Sequence, residues 1–454
     1  MAQNPHGGAP VRGQGAVPHS PLFEGRFGRM FRLDPLHPTD EDIALLVDRL
    51  RDAAQAPADD NPRIPAGYTY LGQFIDHDIT YDPTPQLQKD NDPDALVDFR
   101  TPRLDLDSLY GRGPSDDPFL YDISRALSRD VRLLVGARPQ GDDDFEPYDV
   151  PRNQQGRALL GDPRNDENVI VSQLHLLFIR FHNAVVELVG NDLRECQRVV
   201  RWHYQWIVVH DFLERIAGQE TAQAVLAKVD HPHFKWKNDP YMPLEFSGAA
   251  YRFGHSMIRP HYDLNAANLQ VPIFTDADDP GPMDHLGGFR RLPNGWTIDW
   301  ARFFELGHDA PQHSRKIDTK LSPQLFRLAK ETDGDRRALA WLNLHRGRLL
   351  GLPSGQDVAR AMGHEALSAD ELGLDGALGR RTPLWFYLLR EAEVQADGEH
   401  LGPVGGRIVA EVLVGLLDGD QQSYLRKEPS WRPSLPAATA GDFTMADLVR
   451  FAQA

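Results

Sequence analysis

Cysteine is nearly absent from this chain of 454 residues, which contains only Cys196. A single cysteine excludes an intramolecular disulfide and any metal site built from several thiolates. The stability of the fold must therefore come from core packing, to which bound cofactors can add. A chain of this length can bury a sizeable core, as one large domain or as two modest ones.

Long apolar runs and an excess of positive charge are also missing. The N-terminal sequence MAQNPHGGAPVRGQ lacks the apolar core of a signal peptide, and no run resembles the ~18 apolar residues of a membrane span. The formal net charge is -17, and such a surface repels nucleic acids and anionic membranes on average. We expect a soluble protein with no nucleic-acid partner and no membrane span, either cytoplasmic or secreted without a recognisable signal peptide.

Three regions follow one another along the chain. Residues 1–38 are rich in Gly, Pro and His without periodicity, which indicates an extended N-terminal arm. We expect the main domain over residues 39–430. Residues 431–454 are expected to form a C-terminal tail with one short helix at residues 445–451.

Helical periodicity dominates the main domain. Apolar residues recur every three or four positions through Val169–Val189, the strongest predicted helix. Residues 39–42 resemble a capping box that starts a helix, and residues 131–135 are the best candidate for a strand. The pattern predicts a mainly α fold with little β structure. Further helices are predicted at residues 70–80, 193–217, 219–229, 245–258, 299–306, 322–330, 336–343, 356–361, 383–391 and 404–417.

The segment GQFIDHD at residues 72–78 is the first that indicates chemistry. In a helix, Gln73 and His77 share a face, and Asp76 and Asp78 flank the histidine. Three ionisable groups in an apolar helix are costly unless each has a partner. Taken alone, the segment fits a helix end with solvated acids and a buried histidine.

Three later segments are each ambiguous alone. GDPRNDE at residues 161–167 is an acidic turn that suits the N-terminus of the following helix. YRFGH at residues 251–255 fits a core helix, or a neutral imidazole offered to a metal, with Gly254 allowing a flat ligand to approach. LNLHR at residues 342–346 holds Asn343, whose amide oxygen can accept a hydrogen bond from a metal-ligating histidine.

Together and in this order, the four segments resemble the animal haem peroxidases of the peroxidase–cyclooxygenase superfamily, over roughly residues 60–420. The resemblance implies a single large helical haem-peroxidase domain that binds haem b. It also implies that the protein reduces hydrogen peroxide and oxidises a halide or a small phenolic or aromatic donor. The scarcity of cysteine differs from the secreted, disulfide-bearing animal members and indicates a bacterial-type member.

The resemblance assigns roles to five residues of the first two segments. His77 would be the distal histidine that moves the proton of peroxide, and Gln73 would hold a distal water or halide. Arg164 would stabilise the negative charge that develops as the O–O bond breaks. Asp76 and Glu167 match the two carboxylates that form ester bonds to haem in this family, so covalent attachment is expected.

The proximal side follows from the other two segments. By resemblance, His255 is the haem iron ligand, Asn343 orients it, and Arg252 pairs with a haem propionate. The family's fourth motif usually continues through an Asp-His pair where this chain has Leu349 and Leu350. The hydrogen bonding beyond Asn343 is therefore open.

Asp78 and the loop at residues 101–107 resemble the family's calcium site. Alternating oxygen ligands in a short loop suit a hard cation, although without the haem motifs the loop would be interpreted as a solvated acidic turn. Because Asp78 adjoins the distal histidine, the ion is expected to fix the distal helix. The expected donors are the carboxylates of Asp78, Asp105 and Asp107, the hydroxyl and carbonyl of Thr101, and the backbone carbonyl of Arg103.

Two other functions stay open. A fatty-acid dioxygenase of the same superfamily uses a tyrosyl radical from a tyrosine three residues before the haem histidine, where this chain has Arg252. Tyr251 is one residue too early and on a different helical face. A haem- and calcium-binding protein without turnover is the other alternative. His175 and His182, on the strongest helix, are interpreted as structural.

Overall fold

Helices make up most of the structure, a computed structural model that describes residues 25–51, 60–81, 97–98, 100–122, 131–137, 143–146, 148–229, 231–274, 284–307, 309–328 and 337–453. The protein is 48% helical and 10% strand and forms a single large domain, which confirms the predicted mainly α class.

Most of the predicted helices are present in the structure with shifted ends, and several short helices lie between them. Residues 193–217 form one continuous rod in which the π-helix Val208–Phe212 joins α5 to α6. The α-helices of the described residues are α1 Asp40–Arg49, α2 Gly67–Ile79, α3 Asp107–Tyr110, α4 Val169–Val189, α5 Leu193–Ile207, α6 Leu213–Ala217, α7 Gln219–Lys228, α8 Leu244–Gly248, α9 Leu339–Leu349, α10 Gly355–Ala361, α11 Ala369–Leu372, α12 Gly376–Arg380, α13 Leu384–Ala396, α14 Pro403–Gly419, α15 Tyr424–Lys427 and α16 Met445–Gln453.

The strands are short and form small sheets at the edges of the helical body. Strand β1 pairs parallel with β6 and antiparallel with β3, and the pairs β2–β9, β4–β5 and β7–β8 are antiparallel. Within the described residues the strands are β1 Gly25–Gly28, β2 Asp60–Pro65, β3 Val97–Asp98, β4 Gly136–Ala137, β5 Tyr148–Asp149, β6 Met242–Pro243, β7 His261–Tyr262, β8 Val271–Pro272 and β9 His313–Arg315.

Helix α4 lies at the centre of the core and packs against α2, α5 and α16. The Phe178 ring stacks on Phe74 of α2, with ring centroids 4.6 Å apart. Of the described helices, α4 alone is long and apolar enough to cross a membrane by length and composition, but 83% of its most apolar stretch is buried inside the protein. It therefore serves here as a core helix that holds α2 in place.

Side-chain caps explain where the two best-predicted helices begin. Thr39 and Asp42 form the predicted capping box at α1. The side chain of Asn168 accepts a hydrogen bond from the backbone N–H of Ile170 at 2.8 Å, which starts α4 directly after the acidic segment.

The strand predicted at residues 131–135 is wrong. Leu133 makes only an isolated bridge to Tyr121. The side chain of Asn183, on α4, donates to the Leu133 carbonyl at 2.9 Å and accepts from its N–H at 2.8 Å. These contacts satisfy backbone groups that a strand would have paired with a neighbour.

The helix predicted at residues 245–258 is interrupted. It divides at Ala249, whose φ and ψ of -142° and -68° separate α8 from a 3₁₀ helix at Ala250–His255. In the described parts of the helices predicted at residues 299–306 and 322–330, the 3₁₀ turns Trp300–Arg302 and Pro323–Phe326 form instead. Residues 329 and 330 lie outside the described residues. Apolar spacing alone does not distinguish such turns from α-helices.

Both terminal segments are tied to the domain where the structure describes them. Phe27 and Phe31 are buried, and the Glu245 carboxylate accepts hydrogen bonds from the N–H groups of Met30 and Phe31. Residues 1–24 of the predicted arm lie outside the described residues. At the other end, α16 packs on α4, and Leu448 of α16 is fully buried.

Candidate functional site

The distal helix α2 presents one partly exposed face. Most of its residues are buried, whereas Gly72, Gln73 and Asp76 are half-buried. His77 is only 4% exposed. Arg164, Glu167, Arg252 and His255 are likewise half-buried among buried neighbours. The residues with predicted roles in haem chemistry therefore border open space.

His77 has a hydrogen-bonding contact at one ring nitrogen and a more distant carboxylate near the other. Its Nδ1 lies 2.8 Å from Oδ1 of Asn165, and its Nε2 lies 3.6 Å from Oε1 of Glu167. The Gln73 amide donates to the same Glu167 oxygen. The structure thus brings together Gln73, His77 and Glu167, and it adds Asn165, to which the sequence analysis gave no role.

Arg164 is fixed beside His77 by a buried carboxylate. Its Nη2 donates to the His77 carbonyl at 3.0 Å and to Asp162 Oδ2 at 2.7 Å, and it also donates to the Thr80 carbonyl. Burial lowers the pKa of Arg164, but Asp162 outweighs this and raises it above its usual value. The guanidinium therefore keeps its charge and points along the end of α2.

The proximal segment places Arg252 and His255 on one side. The turn Ala250–His255 is a 3₁₀ helix, in which residues three apart are aligned. Nδ1 of His255 lies 2.7 Å from the amide nitrogen of Asn343. Turning that amide by 180° brings its oxygen to the same place, so the pair can equally accept a hydrogen from Nδ1. The expected His255–Asn343 pair is therefore in contact.

Arg252 connects the two halves of the site. Burial and the positive charges of Arg346 and Arg164 lower its pKa to about 10, while Asp76 opposes them. The 3₁₀ turn that carries Arg252 also packs against α2. Arg346, to which no role was given, follows Asn343 by three residues on α9. Because Arg346 is the last residue of the LNLHR motif, the sequence could have indicated a role for it.

These residues fit a flat, anionic, iron-bearing group such as haem. A Cβ added at Gly254 would meet no heavy atom of the described residues within 4 Å, its chain neighbours left aside, so the backbone there borders open space. Because burial and neighbouring positive charge lower the pKa of Arg252, a negatively charged group such as a propionate would be favoured beside it. The half-buried His255 would be the residue to ligate the iron.

The predicted calcium ligands also come together. Carboxylate oxygens of Asp78, Asp105 and Asp107 all lie within 4.8 Å of one another, and Thr101 Oγ1 donates to Asp105 at 3.1 Å. Leu106 adopts a left-handed conformation with φ of 57°, and its N–H donates to Asp78 at 3.2 Å. The loop is thereby turned back onto α2.

The carboxylate cluster carries an excess of negative charge. Burial and repulsion from Asp107 and Asp105 raise the pKa of Asp78 well above its usual value. A divalent cation would relieve this repulsion, and oxygen donors in such a loop suit calcium. Arg103 was expected to bind the ion through its backbone carbonyl. The contact that the structure gives for Arg103 is at its N–H, which donates to the Thr101 carbonyl at 2.7 Å.

Arg100 connects the carboxylate cluster to Arg164 through Asp162. Its guanidinium lies 3.1 Å from Asp107 and 3.0 Å from Asp162, the partner of Arg164. A continuous run of charged contacts thus joins Asp107, Arg100, Asp162 and Arg164. No motif indicated this role for Arg100, because its two partners lie 7 and 62 residues away in the sequence.

Comparison with known proteins gives the family. The Animal haem peroxidase family matches residues 83–373, more than half of the chain, although α2 lies just before the matched range. A peroxidase-like protein of Margaritifera margaritifera is 28% identical over 378 residues, covering 67% of this chain and 46% of that protein. The chain spans less than half the length of several curated peroxidases that it matches.

Solved structures show the same fold at low sequence identity. Peroxidase A from Dictyostelium discoideum aligns with a TM-score of 0.59 and 16% identity, covering 88% of each chain. A fatty acid alpha-dioxygenase from Oryza sativa aligns with a TM-score of 0.55 and 18% identity, covering 86% of this chain and 74% of that one. The chain therefore belongs to the animal haem peroxidase family and has the fold of the peroxidase–cyclooxygenase superfamily.

Proposed function

We propose that this protein is a haem peroxidase that reduces hydrogen peroxide and oxidises halides or small phenolic and aromatic donors. The observation that carries the proposal is the setting of His77. Its Nδ1 contacts an amide oxygen, and its Nε2 faces the half-buried groups of Gln73 and Glu167. A neutral imidazole with a free Nε2 is what a proton acceptor for peroxide requires.

The distal residues divide the work of peroxide reduction. Nε2 of His77 accepts a proton from incoming peroxide and returns it to the departing oxygen, which leaves as water. The fixed charge of Arg164 stabilises the departing oxygen while it is negative. Gln73, one turn from His77, orients a water or a halide. A haem bound through His255 would supply the electrons that reduce peroxide and the oxidising power that acts on the donor.

Proximal residues would hold the haem b. His255 ligates the iron, Asn343 fixes its imidazole, and Arg252 with Arg346 neutralises the propionates. An asparagine partner carries no charge, so it leaves the imidazole more neutral than an aspartate would. The iron is then easier to reduce than in peroxidases with an aspartate partner.

We further propose that Asp76 and Glu167 form ester bonds to the haem. Both carboxylates are half-buried, Glu167 lies 3.6 Å from Nε2 of His77, and Thr80 Oγ1 donates to Asp76 at 3.1 Å. After treatment of the holoprotein with peroxide, mass spectrometry of a digest is expected to find haem attached to peptides containing Asp76 and Glu167. In Asp76→Asn and Glu167→Gln each corresponding link should vanish. A digest of the treated protein without any haem-modified peptide would refute the attachment.

The calcium site is proposed on the carboxylate cluster of Asp78, Asp105 and Asp107, with oxygens of Thr101 and Arg103 completing the ligand set. The ion would hold the end of α2, because Asp78 directly follows the distal histidine. It would stabilise the site and would take no part in the reaction.

A fatty-acid dioxygenase is the second candidate, and one feature bears on it. The Tyr251 hydroxyl is buried without a hydrogen-bond partner among the described groups. Burial, followed by the negative charge of Asp76, raises its pKa well above the usual value. Phe246 stacks on the ring at a centroid distance of 4.6 Å. However, the position three residues before His255 holds Arg252, which cannot form the radical, and the aligned 3₁₀ turn puts Tyr251 off that side.

One pair of assays separates the two functions. Protein produced with added haem is expected to oxidise iodide or a phenol only when peroxide is present. With linoleate and no donor, it should consume no oxygen. Rapid oxygen uptake with linoleate that is lost in Tyr251→Phe would establish the dioxygenase instead. Absence of both reactions in a haem-loaded sample would leave a binding protein without turnover.

A further inference from the structure

Three buried polar side chains form an unbroken line behind the distal site. Nδ1 of His77 lies 2.8 Å from Oδ1 of Asn165, and Nδ2 of Asn165 lies 3.0 Å from Nδ1 of His175. Asn165 is fully buried, and His175 is 1% exposed. His175 belongs to α4, the buried core helix, so the line connects the distal histidine to the core of the fold.

The amide of Asn165 fixes which groups donate and which accept along this line. Its nitrogen can only donate and its oxygen can only accept. Burial lowers the pKa of His175 to about 3, so that imidazole is neutral near neutral pH. A neutral His175 that accepts at Nδ1 receives the hydrogen of the amide nitrogen. The amide oxygen then faces His77 and accepts only from a protonated Nδ1.

We propose that Asn165 and His175 are positioning residues that fix His77 in the tautomer with its hydrogen on Nδ1. This leaves the Nε2 lone pair for the substrate. Reversing the amide would donate to Nδ1 and put the hydrogen on Nε2, where it blocks proton acceptance. The inference rests on the proposed peroxidase function for its purpose, but the tautomer itself can be measured without turnover.

Other groups around His77 do not set this preference. Glu167 lies at 3.6 Å from Nε2, and Gln73 contacts Glu167 rather than the imidazole. Arg164 contacts the backbone carbonyl of His77 at 3.0 Å. Asn165 is therefore the group whose contact determines whether Nδ1 carries a hydrogen.

The interpretation of His175 as structural therefore needs an addition. His182, seven residues later on α4, bonds Tyr110 at 3.0 Å and the Val131 carbonyl at 3.0 Å, contacts that serve packing. His175 contacts Asn165, which contacts the proposed catalytic base. The two histidines of one helix thus have different surroundings, although their sequence contexts are similar.

The direct test is the ring nitrogen spectrum of His77. Histidine-labelled ¹⁵N holoprotein in the reduced, carbon-monoxide-bound form is diamagnetic, and His77 is identified as the signals missing in His77→Gln. The wild type is expected to carry its hydrogen on Nδ1. In Asn165→Leu the hydrogen should shift at least in part to Nε2, and in His175→Phe the two tautomers should mix. A wild-type His77 with its hydrogen on Nε2 would overturn the proposal.

A second measurement joins the tautomer to the reaction. Asn165→Leu should lower the rate constant for peroxide about tenfold, whereas Asn165→Asp, which keeps the accepting oxygen, should recover most of it. Asn168→Ala is the matched control, since Asn168 caps α4 from the same segment. It should lower the melting temperature without moving the tautomer. If all three variants lose stability alike while tautomer and rate stay unchanged, Asn165 is merely structural.

The failure of the proposed function gives a different pattern. A protein that binds haem but reduces no peroxide, with His77 still carrying its hydrogen on Nδ1, would refute the peroxidase and leave the positioning line standing. An active peroxidase in which Asn165→Leu leaves both the tautomer and the rate constant unchanged would refute only the positioning line.

Discussion

Replacing His77 with glutamine is expected to lower the rate constant for the reaction with peroxide by about 10³-fold, the middle of the usual range for a lost general acid–base group. Glutamine retains a polar side chain of similar reach but cannot accept the proton. Stopped-flow mixing of the haem-loaded variant with peroxide measures the effect directly. Haem binding should be preserved, because His255 and the arginines are unchanged.

His182→Gln provides the matched control for this substitution. His182 is also a buried histidine, yet it bonds Tyr110 and a backbone carbonyl away from the haem residues. The control variant is expected to lose stability and to keep the peroxide rate constant within about twofold of wild type. A His77→Gln protein that retained more than a tenth of the wild-type rate constant would contradict the assigned role.

Removing calcium is expected to lower both stability and peroxide reactivity. Without the ion, the carboxylates of Asp78, Asp105 and Asp107 repel one another at the end of the distal helix. A cation present at 1,000 times its dissociation constant stabilises a protein by about 4 kcal/mol. Chelation should therefore lower the melting temperature by several degrees, perturb the haem absorption band and slow the reaction, and added calcium should restore all three.

Two variants separate this effect from a general change of charge. Asp105→Asn should weaken calcium binding, measured by titration of the melting temperature. Asp116→Asn removes the same charge from an exposed residue of the following loop. It should change neither calcium binding nor the melting temperature. Full activity and an unchanged haem band in completely demetallated protein would refute the proposed coupling between the ion and the distal helix.

Residues within short contiguous motifs could be given expected roles from the sequence, because each motif can be compared with the family as a unit. This resemblance of motifs gave the roles expected of His77, Arg164, Glu167, Asp78 and the acidic loop. The residues that escaped are those whose partners are distant in the chain. Arg100 bridges Asp107 and Asp162, and Asn165 lies between two histidines. Such links depend on how α2, α4 and the loops pack.

Fold predictions failed where tertiary contacts override local pattern. Residues 245–258 have the spacing of one helix, but the Arg252 side chain donates to the Ser247 carbonyl at 2.9 Å, and Trp385 donates to the Arg252 carbonyl at 3.1 Å. These contacts go with a tight 3₁₀ turn rather than a continued α-helix. The Val169–Val189 helix, by contrast, was predicted to the residue, because its apolar stripe and its Asn168 cap are both local.

The most direct test of the central claim is the absorption spectrum of protein produced with added haem, recorded before and after one equivalent of peroxide. The account predicts a high-spin ferric spectrum that changes on addition of peroxide and returns when iodide or a phenol is added. Protein that binds no haem, or haem that does not respond to peroxide, would contradict the account and leave a calcium-binding scaffold whose haem motifs no longer function.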